Sequence, residues 1–143
     1  MSDAPVPPVR PVPRVTARTA PFWRGGADGV LRMLRCGDPD CGYYVHPPGP
    51  VCPRCHGRTL GYEPVSGRAR VVAATVNHHA WLPGWPLPYS VAIVELDEQP
   101  GLRLTTNVVD CDPVAVTVGL PVSVRFTPID DDIWLPLFAP VTP

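Results

Sequence analysis

Cys36-Gly37-Asp38-Pro39-Asp40-Cys41, ten further residues, and Cys52-Pro53-Arg54-Cys55 form the stretch on which the reading of the fold turns. Two short-spaced cysteine pairs place two thiolates on each of two hairpin tips, and two such tips enclose one tetrahedral metal with Zn–S distances of ~2.3 Å. Gly42 after Cys41, and His56-Gly57 after Cys55, supply the small residues such turns need. Cys36, Cys41, Cys52 and Cys55 are therefore the candidate ligands of a structural zinc. A four-thiolate site is coordinatively closed and leaves no position at which to activate water, so the metal would stabilise rather than catalyse. Its binding free energy, on the order of 10 kcal/mol, would hold together a ribbon too small for a core of its own. A rubredoxin-type iron site uses the same four thiolates and is the alternative. His46 and His56 lie close enough in sequence to replace a thiolate, but four spaced cysteines make a histidine ligand unnecessary.

Downstream of the cysteines the pattern turns strand-like. Residues 60–64 can close the ribbon as a short strand, giving a ribbon over 36–64. Residues 70–77, 89–96 and 102–109 are rich in Val, Ile, Thr and Leu. Residues 121–127 alternate, with Val122, Val124 and Phe126 on one face and Ser123, Arg125 and Thr127 on the other. A last strand is expected over 133–138, with turns at Gly67, Gly101, Gly119 and Asp130 to Asp132. Five short strands with no helical pattern between them suit a small closed or nearly closed barrel over 65–140, of OB type as first choice. An open sandwich of similar strand count is the structural alternative.

Upstream, residues 1–18 are dominated by Pro, Val and Arg, a composition of extended, solvated chain that reads as a flexible arm or linker. Thr19-Ala20-Pro21-Phe22-Trp23 places a capping-type residue beside a helix-compatible Pro, so a short helical segment is expected within 19–35. The 143 residues include 22 Pro and 12 Gly, which disfavours long helices and a large enzyme core. With no apolar run long enough for a signal or a membrane span, the expected location is the cytoplasm.

All twelve cations are Arg, and ten of them fall before residue 71 against five acids, leaving two against eight in the remainder. The acidic second half argues against a nucleic-acid-binding barrel, which would carry a basic stripe. Cys111, between Asp110 and Asp112, reads as an incidental thiol whose pKa the carboxylates raise. The stretch from His78 through Tyr89 is stiff, aromatic and apolar, so His78, His79, Trp81, Trp85 and Tyr89 are candidate contact residues for a partner or ligand. Phe22 and Trp23 join them. No nucleophile, carboxylate pair or phosphate loop accompanies the two histidines in a recognisable order.

Pro21-Phe22-Trp23 leading to Leu31, the cysteine quartet, Pro64-Val65-Ser66-Gly67-Arg68, Pro88-Tyr89 to Glu95-Leu96, and Gly119-Leu120-Pro121-Val122 before Phe126 together resemble the domain-of-unknown-function thirty-five family over about residues 19–140. The resemblance implies a mainly β chain with a short N-terminal helix, a rubredoxin-like zinc ribbon and a C-terminal five-stranded OB-fold barrel. It also implies that Cys36, Cys41, Cys52 and Cys55 hold the zinc, with a four-residue gap between the first two where the family usually has two. Family members are commonly paired with thiolase-like enzymes of acyl-CoA metabolism, some with aldolases that shorten steroid side chains. The expectation is thus a non-catalytic subunit of a hetero-oligomer with a thiolase-like aldolase or acyltransferase, with acyl-CoA as a possible ligand. A nucleic-acid-binding module and a rubredoxin-like electron carrier are the rival readings.

Overall fold

The structure is a computed structural model and describes residues 10–142. The first nine residues of the arm expected over 1–18 lie outside them. Thr16 to Thr19 form a turn that leads into helix α1, Ala20–Trp23, with Pro21 in its first turn, where a missing N–H is harmless. The short helical segment expected within 19–35 is formed by these four residues and a 3₁₀ turn at Gly25–Ala27. Gly25 and Gly26 interrupt it, and Gly29 at φ +71° reverses the chain. Residues 32–35 are strand, fixed by pairing with segments more distant in sequence.

That strand, β1 at Arg32–Cys36, is the centre of a three-stranded antiparallel sheet with β2 at Tyr44–Val45 and β3 at Leu60–Pro64, in the order β2-β1-β3. Leu34 faces Val45 on one side and Tyr62 on the other. The sheet is small, yet Met33 is fully buried and Leu31 nearly so, because both reach past the ribbon into the core of the second unit.

The second sheet contains β4 at Arg68–Asn77, β5 at Tyr89–Leu96, β6 at Arg103–Thr106, β7 at Pro121–Asp130 and β8 at Ile133–Pro140. Its order is β6-β5-β4-β7-β8, antiparallel throughout. The chain just past β6 meets β8 through a parallel bridge, Val108 to Phe138, with Val109 N–H donating to the Phe138 carbonyl at 2.8 Å. The sheet thereby becomes a nearly closed five-stranded barrel of OB type rather than an open sandwich. Period-two alternation fills it: Ser90, Ala92, Val94 and Leu96 of β5 and Leu104 and Thr106 of β6 point inward, onto Val71, Val122 and Phe138.

Closure is polar as well as apolar. The buried Ser90 hydroxyl donates to the Val108 carbonyl at 3.0 Å and accepts from Val108 N–H at 3.1 Å. Asn107 Nδ2 donates to the Ser90 carbonyl at 2.7 Å, and Thr106 Oγ1 to the Pro136 carbonyl at 3.0 Å. These side chains satisfy backbone groups that the short bridge leaves without ladder partners, a saving of about 1–3 kcal/mol for each buried group. Beyond a bulge at Val71/Ala73 the alternation of β4 ends, since β7 pairs with β4 only at Arg68 to Arg70. The far half of the β4–β5 hairpin therefore stands out from the barrel with both faces open at Ala73 and Ala74.

Ribbon and barrel are joined by one side chain acting as a strand. Gln99, in the turn after β5, accepts from Tyr44 N–H through Oε1 at 2.8 Å and donates to the Tyr44 carbonyl through Nε2 at 3.0 Å. Val65 N–H to the Leu31 carbonyl at 2.9 Å, and Tyr62 hydroxyl to the Arg18 carbonyl at 2.6 Å, fix the other side of the ribbon. Among the described residues no helix is long and apolar enough to cross a membrane.

Candidate metal centre and contact surface

The first cysteine knuckle carries four residues between its thiols, and local hydrogen bonds absorb the extra two. The Asp38 carboxylate accepts from Asp40 N–H at 2.9 Å, and the Asp38 carbonyl accepts from Cys41 N–H at 3.0 Å and Gly42 N–H at 3.1 Å. Gly42 then turns at φ +65°. The second knuckle closes with His56 N–H on the Cys52 carbonyl at 2.9 Å and Cys52 N–H on the Gly57 carbonyl at 2.8 Å. His56 takes the left-handed conformation at φ +62°.

All four sulfurs lie within 4.8 Å of one another. Cys36 Sγ is 3.6 Å from Cys55 Sγ, and Cys41 Sγ is 3.8 Å from Cys52 Sγ. Bonds of ~2.3 Å to the corners of a tetrahedron place neighbouring sulfurs about 3.8 Å apart, so the donor set fits zinc in both chemistry and spacing. Gly57 N–H donates to Cys55 Sγ at 3.4 Å, and the backbone N–H groups of Asp38, Tyr43 and Cys55 with Arg54 act to lower the thiols of Cys36, Cys41 and Cys52 respectively. These bonds stabilise thiolate charge and aim the sulfurs inward. The Cys55 and Arg54 N–H groups pull the Cys52 thiol down to about 7. Cys36 also accepts from Asp38, but burial and the neighbouring thiols push it up to about 12. Four like charges cannot accumulate without a cation among them.

The contact candidates separate into two places. Phe22 is a core residue, with Trp23 edge-on to it at 4.9 Å and the His46 ring at 5.3 Å. Phe22 and Trp23 line a cavity of about 700 Å³ where β6 and β8 diverge below their bridge, roofed by residues 46–48 and flanked by Leu104, Leu135 and Leu137. Arg10 and Arg103 reach this cavity from its polar side. His78, His79, Trp81 and Trp85 sit instead on the β4–β5 loop, and Tyr89 opens β5 at its end. Trp81 is 71% exposed, its ring edge-on to His79 at 4.4 Å and its indole N–H on Asn77 Oδ1 at 2.9 Å. Leu82 and Leu87 are exposed beside it, whereas Trp85 turns back toward Tyr89 at 5.5 Å with the Arg10 guanidinium over its face at 4.2 Å.

Sequence reasoning missed several residues here. His46, which sequence spacing relates only to the cysteines, lines the cavity, and burial holds its imidazole below the usual range. Arg10 lies in the arm and Asn107 beyond β6, yet their side chains meet at 3.4 Å. No spacing signals these meetings, which barrel closure creates. The Cys111 thiol is indeed raised, by burial first and the flanking carboxylates second. Of the ribbon arginines, Arg32 is paired with Asp28 and Arg35 with Glu63, so they are less available to a partner than composition implies.

Comparison with known proteins places this architecture. Residues 23–61 match the family described as ChsH2, rubredoxin-like zinc ribbon domain, and residues 62–127 match ChsH2, C-terminal OB-fold domain. A probable enoyl-CoA hydratase alpha subunit of Thermomonospora curvata is 34% identical over 94% of this chain. The 3-oxo-4,17-pregnadiene-20-carboxyl-CoA hydratase alpha subunit of Mycobacterium tuberculosis is 35% identical over 85% of it. The chain spans only 41% and 37% of those two relatives' lengths. A DUF35 domain-containing scaffold protein of Methanocaldococcus jannaschii is 36% identical over 69% of both chains. Among solved structures, a chain of the Ltp2-ChsH2(DUF35) aldolase superposes with a TM-score of 0.78 at 34% identity, covering 90% of this chain and 98% of that one. A DUF35 protein of unknown function from Sulfolobus solfataricus, 16% identical, shares the fold at a TM-score of 0.61 over 89% of this chain and 87% of its own. With its zinc ribbon, its OB-type barrel and a full-length match to a ChsH2(DUF35) chain, this protein belongs to the DUF35 family.

Proposed function

We propose that this chain is a non-catalytic accessory subunit or domain that binds and supports a thiolase-like acyl-CoA aldolase or acyltransferase, in a hetero-oligomer acting on steroid side chains. The observation that carries the reading is the likeness to the ChsH2(DUF35) chain of an aldolase, which extends over 98% of that chain. The steroid assignment is supported by the pregnadiene-carboxyl-CoA named in the mycobacterial relative. The metal chemistry agrees: four thiolates complete the shell of a zinc ion, which when bound supplies cross-linking and leaves no site for water or substrate. The chain's own residues would then bind and orient. Trp81, Leu82 and Leu87 offer an exposed apolar loop on a projecting hairpin, suited to the buried centre of an interface. The cavity bordered by Trp23, largely apolar and also bordered by Arg10 and Arg103, would help shape acyl-CoA access once these guanidiniums exchange their contacts with Trp85, Asn107 and Glu95 for phosphate or carboxylate oxygens.

Co-expression with a thiolase-like aldolase tests this reading. A stable hetero-oligomer by light scattering, with retro-aldol cleavage of an acyl-CoA that requires the aldolase and is raised by this chain, is the expected result. Absence of a complex, or turnover of the acyl-CoA by this chain alone, would overturn it. Trp81→Ala is expected to weaken the complex by about 2 kcal/mol or more, as loss of an aromatic anchor does. Its melting temperature should stay within a degree or so of the parent, because an exposed ring contributes little to the fold.

A further inference from the structure

The four sulfurs of the metal centre are not equally sheltered. Cys52 is fully buried and Cys36 nearly so, Cys41 is partly covered, and Cys55 is exposed. Exposure at Cys55 has a local cause. Residue 57 is glycine, and a Cβ there would stand 3.2 Å from Cys55 Sγ, over the sulfur itself. Beside Gly57 opens a depression of about 290 Å³, lined by Cys36, Gly37, Asp38, Pro39, Gly57 and Thr59, so that of the four cysteines it borders Cys36. Cys36 and Cys55 are also the pair in closest approach among the measured sulfur contacts, at 3.6 Å against 3.8 Å for Cys41 and Cys52.

We propose that Cys55 is the oxidation-sensitive corner of the zinc site, and that hydrogen peroxide converts Cys55 and Cys36 into a disulfide and expels the metal. In the first step the Cys55 thiolate attacks one peroxide oxygen. An S–O bond forms, the O–O bond breaks, sulfur is oxidised by two electrons and hydroxide leaves, giving a sulfenic acid. In the second, the Cys36 thiolate attacks the Cys55 sulfur. The S–S bond forms as the S–O bond breaks, and a second hydroxide leaves. Both steps remove a thiolate from the metal, and two remaining sulfurs do not complete a tetrahedral shell, so zinc departs as the aqueous ion. Cys111, distant in sequence and raised by burial and two carboxylates, is a poor competitor and serves as an internal control.

The test uses the zinc-loaded full chain, without a partner, so its outcome is independent of the docking proposal. Peroxide is added at one equivalent, zinc release is followed with a chromogenic chelator, and the products are mapped by mass spectrometry after trypsin. Cleavage at Arg54 and Arg58 isolates Cys55 from Cys36, Cys41 and Cys52, so its cross-link is a distinct species whose partner is read by fragmentation. The expected result is release of the metal with loss of about two thiols per chain, those of Cys36 and Cys55, and an intact Cys111. Gly57→Ala, which covers Cys55 Sγ while retaining the backbone N–H, is expected to slow release by about threefold or more, since susceptibility follows exposure. A first disulfide between Cys41 and Cys52, oxidation of Cys111 before the metal leaves, or equal rates in Gly57→Ala would each overturn the proposal.

Discussion

At the scale of single residues, the packing of the N-terminal segment against the barrel depends on absent side chains. A Cβ on Gly26 would collide with Cβ, Cγ and Cδ1 of Trp134, whereas one on Gly29 would meet open space. Gly26→Ala must displace a large ring at the foot of β8 and is expected to destabilise the protein by on the order of 3 kcal/mol. Gly29→Ala meets only the strain of φ +71°, for which about 1 kcal/mol is expected. Urea denaturation of the two variants checks the order, and a smaller loss in Gly26→Ala would show that Trp134 is free to move. The same dependence on one atom appears at Gly57, where a methyl would stand 3.2 Å from Cys55 Sγ.

At the scale of elements, β2 is too short to hold itself. It has two residues, one paired edge on β1, and its other edge capped by the Gln99 amide. The amide imitates one rung of a strand, and only a side chain with both a donor and an acceptor at that reach can do so. Gln99→Ala leaves the Tyr44 N–H and carbonyl without partners on a buried residue, with an expected loss of about 1–3 kcal/mol. Hydrogen exchange at Tyr44 should rise while the β4–β5 ladder keeps its protection. Gln99→Glu retains the acceptor but sets a carboxylate against the Tyr44 carbonyl, so it should rescue little. Unchanged exchange at Tyr44 in Gln99→Ala would mean that β1 alone holds β2.

At the scale of the whole molecule, ribbon and barrel share one core but are held by different means. Leu31, Met33 and Tyr44 contribute from the ribbon side, and Val71, Val94, Val122 and Phe138 from the barrel. The barrel keeps its own hydrogen-bonded ladders, whereas the knuckles over residues 36–57 rest on the metal. Chelation removes binding free energy of ~10 kcal/mol, comparable to the entire stability of a domain. The expected outcome is loss of amide protection over residues 36–57, retention in β4, β5, β7 and β8, and a lower melting temperature because Leu31 and Met33 loosen. Acidification should act in the same direction. Zinc needs thiolates, protons compete for them, and metal retention therefore falls as pH falls. Full protection of the knuckles after verified metal removal would contradict this account.

The amino-acid sequence by itself determined the candidate ligand set, since thiol spacing is local chemistry, and the strand content of the barrel, since the β-branched run of β5 and the alternation in β7 are written residue by residue. Residues 89–96 and 60–64 form strands with the bounds expected of them. Tertiary structure alone decided that residues 32–35 are strand, because their two partners come from residues 44–45 and 60–64. It also decided that the barrel closes, through Ser90, Asn107 and Val108 meeting Phe138, and that Arg10, His46 and Trp23 border one cavity. The physical reason is range. Turn chemistry and metal knuckles act over a few bonds of chain, while closure and cavity are contacts between residues tens of positions apart, whose partners exist only once the sheet has curled onto itself.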